Sequence, residues 1–309
     1  MSSVFNYGSS HLTIGVCLDI ANGKTRGIID SAASERVQAS WREVEKIVHK
    51  QNPVYGINTG FGPLCDTRIS EEDTSLLQIN LLKSHSVGVG KPIPQEIAKL
   101  MLITKVHALA QGYSGIALET LERIIWHIDH NIIPVVPEKG SVGASGDLAP
   151  LAHLFLPLIG FGYVYANGER HPAANVLAWH GLQPLTLGPK EGLALINGTQ
   201  FILAFAVKAV KRLNDALNVA DLIGAMSLEG LMGSARPFDG RLHQLRPYKG
   251  SMHVAKRLHT LLNESEICNS HINCDRVQDP YSLRCMPQVH GASRNAWLHL
   301  KELTEIELL

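Results

Sequence analysis

Charge of neither sign is in surplus in this 309-residue chain, where 28 Lys and Arg balance 28 Asp and Glu. Nucleic-acid and anionic-membrane binders draw their affinity from clustered positive charge, so the balance argues against both partners. Aromatic residues are scarce at 6%, while Ala, Leu and Ile abound, which suits packed helices. The five cysteines (Cys17, Cys65, Cys268, Cys274 and Cys285) are odd in number and form no C-x-x-C pair. That spacing argues against a disulfide framework or a tetrathiolate zinc site and points to a reducing compartment. The first fifteen residues hold no basic stretch followed by an apolar one, so no secretory signal is visible. No window reaches the ~18 clean apolar residues of a membrane span. The most apolar stretch, 199–232, is interrupted by Lys208, Lys211, Arg212, Asp215, Asp221 and Glu229. These absences predict a soluble, cytoplasmic protein. Disorder is excluded by a hydrophobic fraction of 45%, and the length suffices for one large domain or two ordinary ones.

What is present is mostly helical periodicity. Val37, Trp41, Val44 and Val48 predict a helix from Ala32 to Lys50, capped by Asp30 or Ser31. Ile97, Leu100, Met101 and Val106 predict a second, and Leu118, Leu121, Ile125 and Ile128 a third, closed by Pro134. No proline falls between Thr199 and Met232, where Ile202, Phe205, Ala209, Leu213, Leu217 and Ala220 form a long stripe of the kind neighbouring bundle helices cover. A last helix starts near Val289 and is still running at Leu309, with no glycine cap, as in a chain incomplete at its C-terminal end. Strands are expected at Leu12–Val16 and Gly162–Tyr165, the latter followed by a turn at Asn167-Gly168. The fold class is mainly α: a loop-rich N-terminal domain (1–190), then the first long helices of a central helical bundle (191–309).

The chemistry centres on Gly143-Ala144-Ser145-Gly146-Asp147. A backbone amide nitrogen attacks the carbonyl carbon two residues upstream only where the chain bends tightly and no bulky side chain intervenes. Gly146 supplies such a nitrogen and Ala144 such a carbonyl. Loss of the Ser145 hydroxyl as water then leaves an exocyclic methylene on a five-membered ring, an electrophile. Three small residues read alone are equally a glycine-rich turn opening a helix, with Ser145 or Asp147 as its N-cap.

The surrounding block, Gly140-Ser-Val-Gly-Ala-Ser-Gly-Asp-Leu-Ala-Pro-Leu-Ala-His153, resembles the signature of the aromatic amino acid ammonia-lyases. Tyr55-Gly-Ile-Asn-Thr-Gly-Phe-Gly62, Glu191-Gly-Leu-Ala-Leu-Ile-Asn-Gly-Thr-Gln200 and Gln278-Asp-Pro-Tyr-Ser-Leu-Arg-Cys285 are similar to further blocks of that family, in the same order. The resemblance implies a 4-methylidene-imidazol-5-one (MIO) formed autocatalytically from Ala144, Ser145 and Gly146, with no metal or nucleotide. It implies Tyr55 as the base that removes a weakly acidic β-proton and Tyr281 as a second active-site tyrosine. It places Arg284 on the substrate carboxylate, Asn197 and Gln278 beside the prosthetic group, and His85 where ring specificity is set. A polar imidazole at His85 argues for a polar ring, and Ser86-Val87-Gly88 resembles the histidine branch. The activity so implied is ammonia elimination from L-histidine to urocanate, by a homotetramer whose sites are built from three subunits.

Other readings stay open: a tyrosine or phenylalanine ammonia-lyase, an aminomutase, or an inactive truncated fragment of the family. A serine hydrolase using Ser145 would need a strand leading into a nucleophile elbow, and Val135-Val136 is the only lead. His127 and His130, at i,i+3, match half a metal site but have no third ligand in sequence, so a wet helix face is their expected home. His153 is expected in core packing or a supporting hydrogen bond.

Overall fold

A computed structural model describes residues 3–49, 53–60, 69–143 and 145–309, and omits the side chains of residues 71 and 72. Two compact units result, Met1–Val207 with Glu307–Leu309, and Lys208–Ile306. Their division lies inside a long helix, whereas the functional boundary expected from sequence lies near residue 190, ahead of it.

The first unit holds short strands among helices: β1 (Ser3–Asn6), α1 (Ile14–Ala21), β2 (Thr25–Ile28), α2 (Ser31–Val48), α3 (Glu71–His85), β3 (Val89–Pro92), α4 (Gln95–Ala110), α5 (Leu118–Asp129), β4 (Ile133–Pro134), β5 (Pro137–Lys139), α6 (Leu148–Phe155), β6 (Tyr163–Ala166), β7 (Glu169–Pro172), α7 (Ala173–Trp179), α8 (Glu191–Ile196) and the start of α9 (Gln200–Gly230). Helix α4 is apolar nearly all round and buried nearly all round, with Leu100, Met101, Ile103 and Val106 inaccessible, and it packs against α1, α2, α5 and β4. The expected α2 cap is present, since Asp30 Oδ1 accepts from Ala33 N at 2.8 Å. The expected strand at Gly162–Tyr165 is β6, which turns at Asn167-Gly168 into β7. The strand expected at Leu12–Val16 is instead the start of α1. Thr13 Oγ1 accepts from Val16 N at 3.2 Å, and Ile14, Cys17 and Ile20 are then buried together on one helical face.

Two pairings organise the loop after α5. Strand β3, which follows α3, runs antiparallel to β5 with Val89 opposite Lys139. Helices α3, α6 and α8 pack on one another pairwise. The C-terminal ends of α3 and α8 and the chain leading into α6 therefore belong to one packed cluster.

The second unit is helical: the rest of α9, α10 (Gly240–Gln244), α11 (Lys249–Leu261), α12 (Glu266–Ser270), α13 (Tyr281–Arg284) and α14 (Met286–Glu307). Leu228, Phe238, Val254, Leu258, Leu283 and Met286 form its core. Helices α11 and α14 cross where Gly250 meets Gly291, too close for a side chain on either residue. A fully buried Asp221 joins α9 to α14, accepting from Arg294 at 2.5 Å and pairing with His290 at 2.9 Å. Among the described residues no helix is long and apolar enough to cross a membrane.

Candidate active site

The loop Gly140–Gly146 leaves β5 and enters α6. Gly143 and Gly146 both take positive φ, +72° and +84°, and pair with each other in an antiparallel bridge. Gly146 also bridges Gly198, and a Cβ at Gly146 would collide with the Gly198 carbonyl. Only glycine fits there. Ser145 is exposed, and Ala144 lies outside the described residues.

The expected helix cap takes another form. Asp147 occupies the N-cap position of α6, but its side chain makes no bond to that helix. Fully buried, its carboxylate accepts from Ser141 Oγ at 2.7 Å and from Ile202 N, in the first turn of α9, at 3.1 Å. Its own amide donates to the Gly198 carbonyl at 2.8 Å. Asp147 thus fastens the loop to the 197–202 segment on both sides of its backbone.

That segment has a second anchor, which sequence reasoning missed. Lys105, 2% exposed within α4, donates from Nζ to the Asn197 carbonyl at 2.7 Å. Burial alone pushes its ammonium down to about 7. The sequence signal was a lysine inside the apolar run Leu100 to Ala110 of that helix. Asn197 is the C-cap of α8, with its side chain exposed. Glu191, at the other end of α8, accepts from Ala117 N and Gly188 N at 3.0 and 2.7 Å, a structural role.

His85 closes α3 and is half-buried. Its Nδ1 lies 2.9 Å from the Leu81 carbonyl and 3.1 Å from Ser84 Oγ; the carbonyl can only accept, so in the Nδ1–H tautomer that contact is a hydrogen bond and Nε2 is left as the acceptor. The chain beyond it is held by His153, whose Nε2 accepts from Gly88 N at 3.0 Å. Burial lowers the basicity of His153, which favours that acceptor form. Tyr55 stands in a turn, its ring 56% exposed, next to Asn58 and Thr59, whose side chains accept from Val54 N and Gly56 N. Phe61 and Gly62, the end of that block, lie outside the described residues.

The second unit carries the remaining candidates within one turn. Gln278 and Tyr281 are exposed, and the Arg284 guanidinium lies 5.0 Å from the Tyr281 ring centroid. Arg284 Nε donates to the Asp279 carbonyl at 2.9 Å, which leaves its two terminal nitrogens without a partner among the described residues. Asp279 is itself buried and fixed by Ser234 N at 2.6 Å and Arg276 at 3.1 Å.

Two expectations change. His127 is buried, not on a wet face: its Nδ1 bonds the Ile132 carbonyl at 3.0 Å, and burial lowers its pKa to about 4. Only His130 is exposed, tilted against Trp126. For a serine hydrolase, β5 ends at Lys139 and Gly140–Gly143 separate it from Ser145, so no strand leads into an elbow.

The chain is similar to known proteins over nearly its whole length. The family model described as aromatic amino acid lyase matches residues 12–309. A histidine ammonia-lyase of Myxococcus xanthus is 46% identical over 291 residues, covering 94% of this chain and 57% of its own length. The crystal structure of histidine ammonia-lyase from Trypanosoma cruzi superposes with a TM-score of 0.87 at 38% identity, over 99% of this chain and 57% of its own. Tyrosine aminomutase from Streptomyces globisporus gives 0.91 at 31% identity, over 100% of this chain and 61% of that one. The chain therefore spans less than two thirds of the length of these relatives.

Proposed function

The chain belongs to the aromatic amino acid lyase family, and from that premise we propose that the protein eliminates ammonia from L-histidine to give urocanate. The observation that carries the proposal is the glycine-only contact of Gly146 with Gly198, which supports a loop bent tightly enough for Ala144, Ser145 and Gly146 to cyclise. These residues fit the MIO group: small side chains, a positive φ at the nitrogen-bearing glycine, and a backbone pinned by Asp147. Once formed, the group supplies an electrophilic methylene that turns the amino group into a leaving group.

The side chains of this protein do the rest. Tyr55 takes the β-proton, which requires surroundings that favour phenolate, because free phenol titrates near ~10. His85 Nε2 accepts a hydrogen bond from the substrate's ring N–H, and an apolar ring leaves that acceptor unpaired. The two terminal nitrogens of Arg284 match a carboxylate fork. Asn197 and Gln278 orient the substrate with their amides, and Tyr281 steadies the reacting species. Assembly as a homo-oligomer and residence in the cytoplasm belong to the same proposal.

The test is an intact mass. Cyclisation expels two waters, so the mature chain falls about 36 Da below its sequence mass, and Ser145→Ala shows no such deficit. A wild type at full mass overturns the reading. Given the deficit, L-histidine is added and the near-ultraviolet absorbance of urocanate is followed. Turnover of L-tyrosine instead, or formation of a β-amino acid, moves the assignment to another branch of the family.

A further inference from the structure

We propose that Lys105 is a positioning residue for the cyclising loop: by holding the Asn197 carbonyl from inside the first unit, it fixes the backbone against which Gly146 is bent. The proposal rests on the reading of Ala144-Ser145-Gly146 as a self-cyclising tripeptide.

The geometry is a short relay. Lys105 Nζ donates to Asn197 O at 2.7 Å. The next residue, Gly198, forms the bridge to Gly146 and accepts from Asp147 N at 2.8 Å. Gly198 has φ +156°, a backbone setting that side-chain-bearing residues rarely adopt. Lys105 approaches that peptide from the core side, and the loop approaches from the other end of the same two residues.

Packing alone does not account for this lysine. It is 2% exposed, and its surroundings lower its ammonium to about 7 through burial, with no acidic partner among the described residues to offset the cost. A methionine would fill the same space at α4 without that penalty. A buried amine with one neutral carbonyl as its hydrogen-bond partner is expensive, and the carbonyl it holds belongs to the backbone of the candidate site.

The chemistry it assists is balanced within the tripeptide. The Gly146 amide nitrogen bonds to the Ala144 carbonyl carbon; its proton and the Ser145 amide proton leave with the former carbonyl oxygen as the first water, and the bond from the Ala144 carbon to the Ser145 nitrogen becomes double. Ser145 loses its Cα hydrogen and its hydroxyl as the second water, which leaves the exocyclic double bond. No oxidant or reductant is needed. The step demands a fixed distance from nitrogen to carbonyl, and misplacement by about 1 Å slows such reactions on the order of a hundredfold.

Lys105→Met and Lys105→Arg are compared with the wild type and Ser145→Ala by intact mass at set times after synthesis, alongside thermal melting of the same samples. The expected result is a folded Lys105→Met that acquires the deficit of about 36 Da on the order of a hundredfold more slowly than the wild type, with Lys105→Arg restored towards the wild-type rate. A merely structural lysine would lower the melting temperature and leave the deficit of the folded molecules complete. Lys105→Met maturing at the wild-type rate overturns the proposal while the cyclisation reading stands. A wild type without the deficit overturns both. Should Lys105→Met fail to fold, Lys105→Gln takes its place under the same criterion.

Discussion

Individual side chains divide into those whose part was visible in their neighbours along the chain and those whose part depends on burial. Gly146 belongs to the first kind, because its glycine-rich block already announces the backbone bend that its φ of +84° makes. His127 belongs to the second. In sequence it sits one helical turn from His130, and nothing nearby announces that its own ring is inside while the other is out. Burial has a measurable consequence. The folded pKa of about 4 lies below the ordinary 6.5, so the folded protein refuses a proton that the unfolded chain accepts. The associated stability is complete above about pH 6.5 and is lost as pH falls towards 4, amounting to roughly 3 kcal/mol for a shift of this size. Denaturant midpoints measured from pH 7 down to 4.5 should fall for the wild type. His127→Gln keeps an N–H for the Ile132 carbonyl without titrating there, and its midpoints should fall less. Parallel curves for the two proteins would refute this account.

At the scale of elements, periodicity located α2, α4, α5, α9 and α14, because each has a run of apolar positions long enough to show its spacing. It misplaced the start of α1, where Leu12–Val16 reads as a strand until the Thr13 cap is considered. It missed the capping of α9 altogether. The N-terminus of that helix is held by a carboxylate 55 positions upstream, and local pattern carries no information about such a partner. Asp147 satisfies an orphan donor there and sets a negative charge against the positive end of the helix dipole. Removing it in Asp147→Ala should cost about 2 kcal/mol, the upper range for loss of a cap, because the Ile202 amide loses its acceptor and the fully buried Asp147 site also gives up its bond to Ser141. Hydrogen exchange by mass spectrometry checks this locally: amides opening α9 should exchange roughly thirtyfold faster, while those of α5 are unchanged. Uniform acceleration throughout the first unit would instead mean that Asp147 supports the unit as a whole.

For the molecule as a whole, the expected mainly α architecture is present, and the matched family has the same helical fold. The stripe predicted on α9 is not the face this chain buries: Ile202, Phe205 and Leu213 are 40 to 53% exposed, while Leu203, Ala204, Val207 and Val210 beside them are buried. Further along, Val219, Leu222, Ile223 and Met226 are 45 to 62% exposed. On α14, Val289, Leu303 and Ile306 are likewise about half exposed or more. Sequence periodicity reports that a face is apolar, but it cannot say whether the same chain or another copy covers it. A soluble monomer rarely shows so many large apolar side chains along two helices. A homo-oligomer, already part of the proposed function, accounts for them, since closed symmetric assemblies bury matching faces of identical chains. Light scattering after size exclusion should therefore give a mass that is a multiple of the chain. Leu222→Lys with Ile223→Lys should reduce it towards one chain, because each lysine would place an unpaired charge in an apolar contact. The intact-mass deficit of about 36 Da should survive in that variant, as the tripeptide and Lys105 lie in the other unit. Dissociation that also abolished the deficit would show that cyclisation needs the assembly.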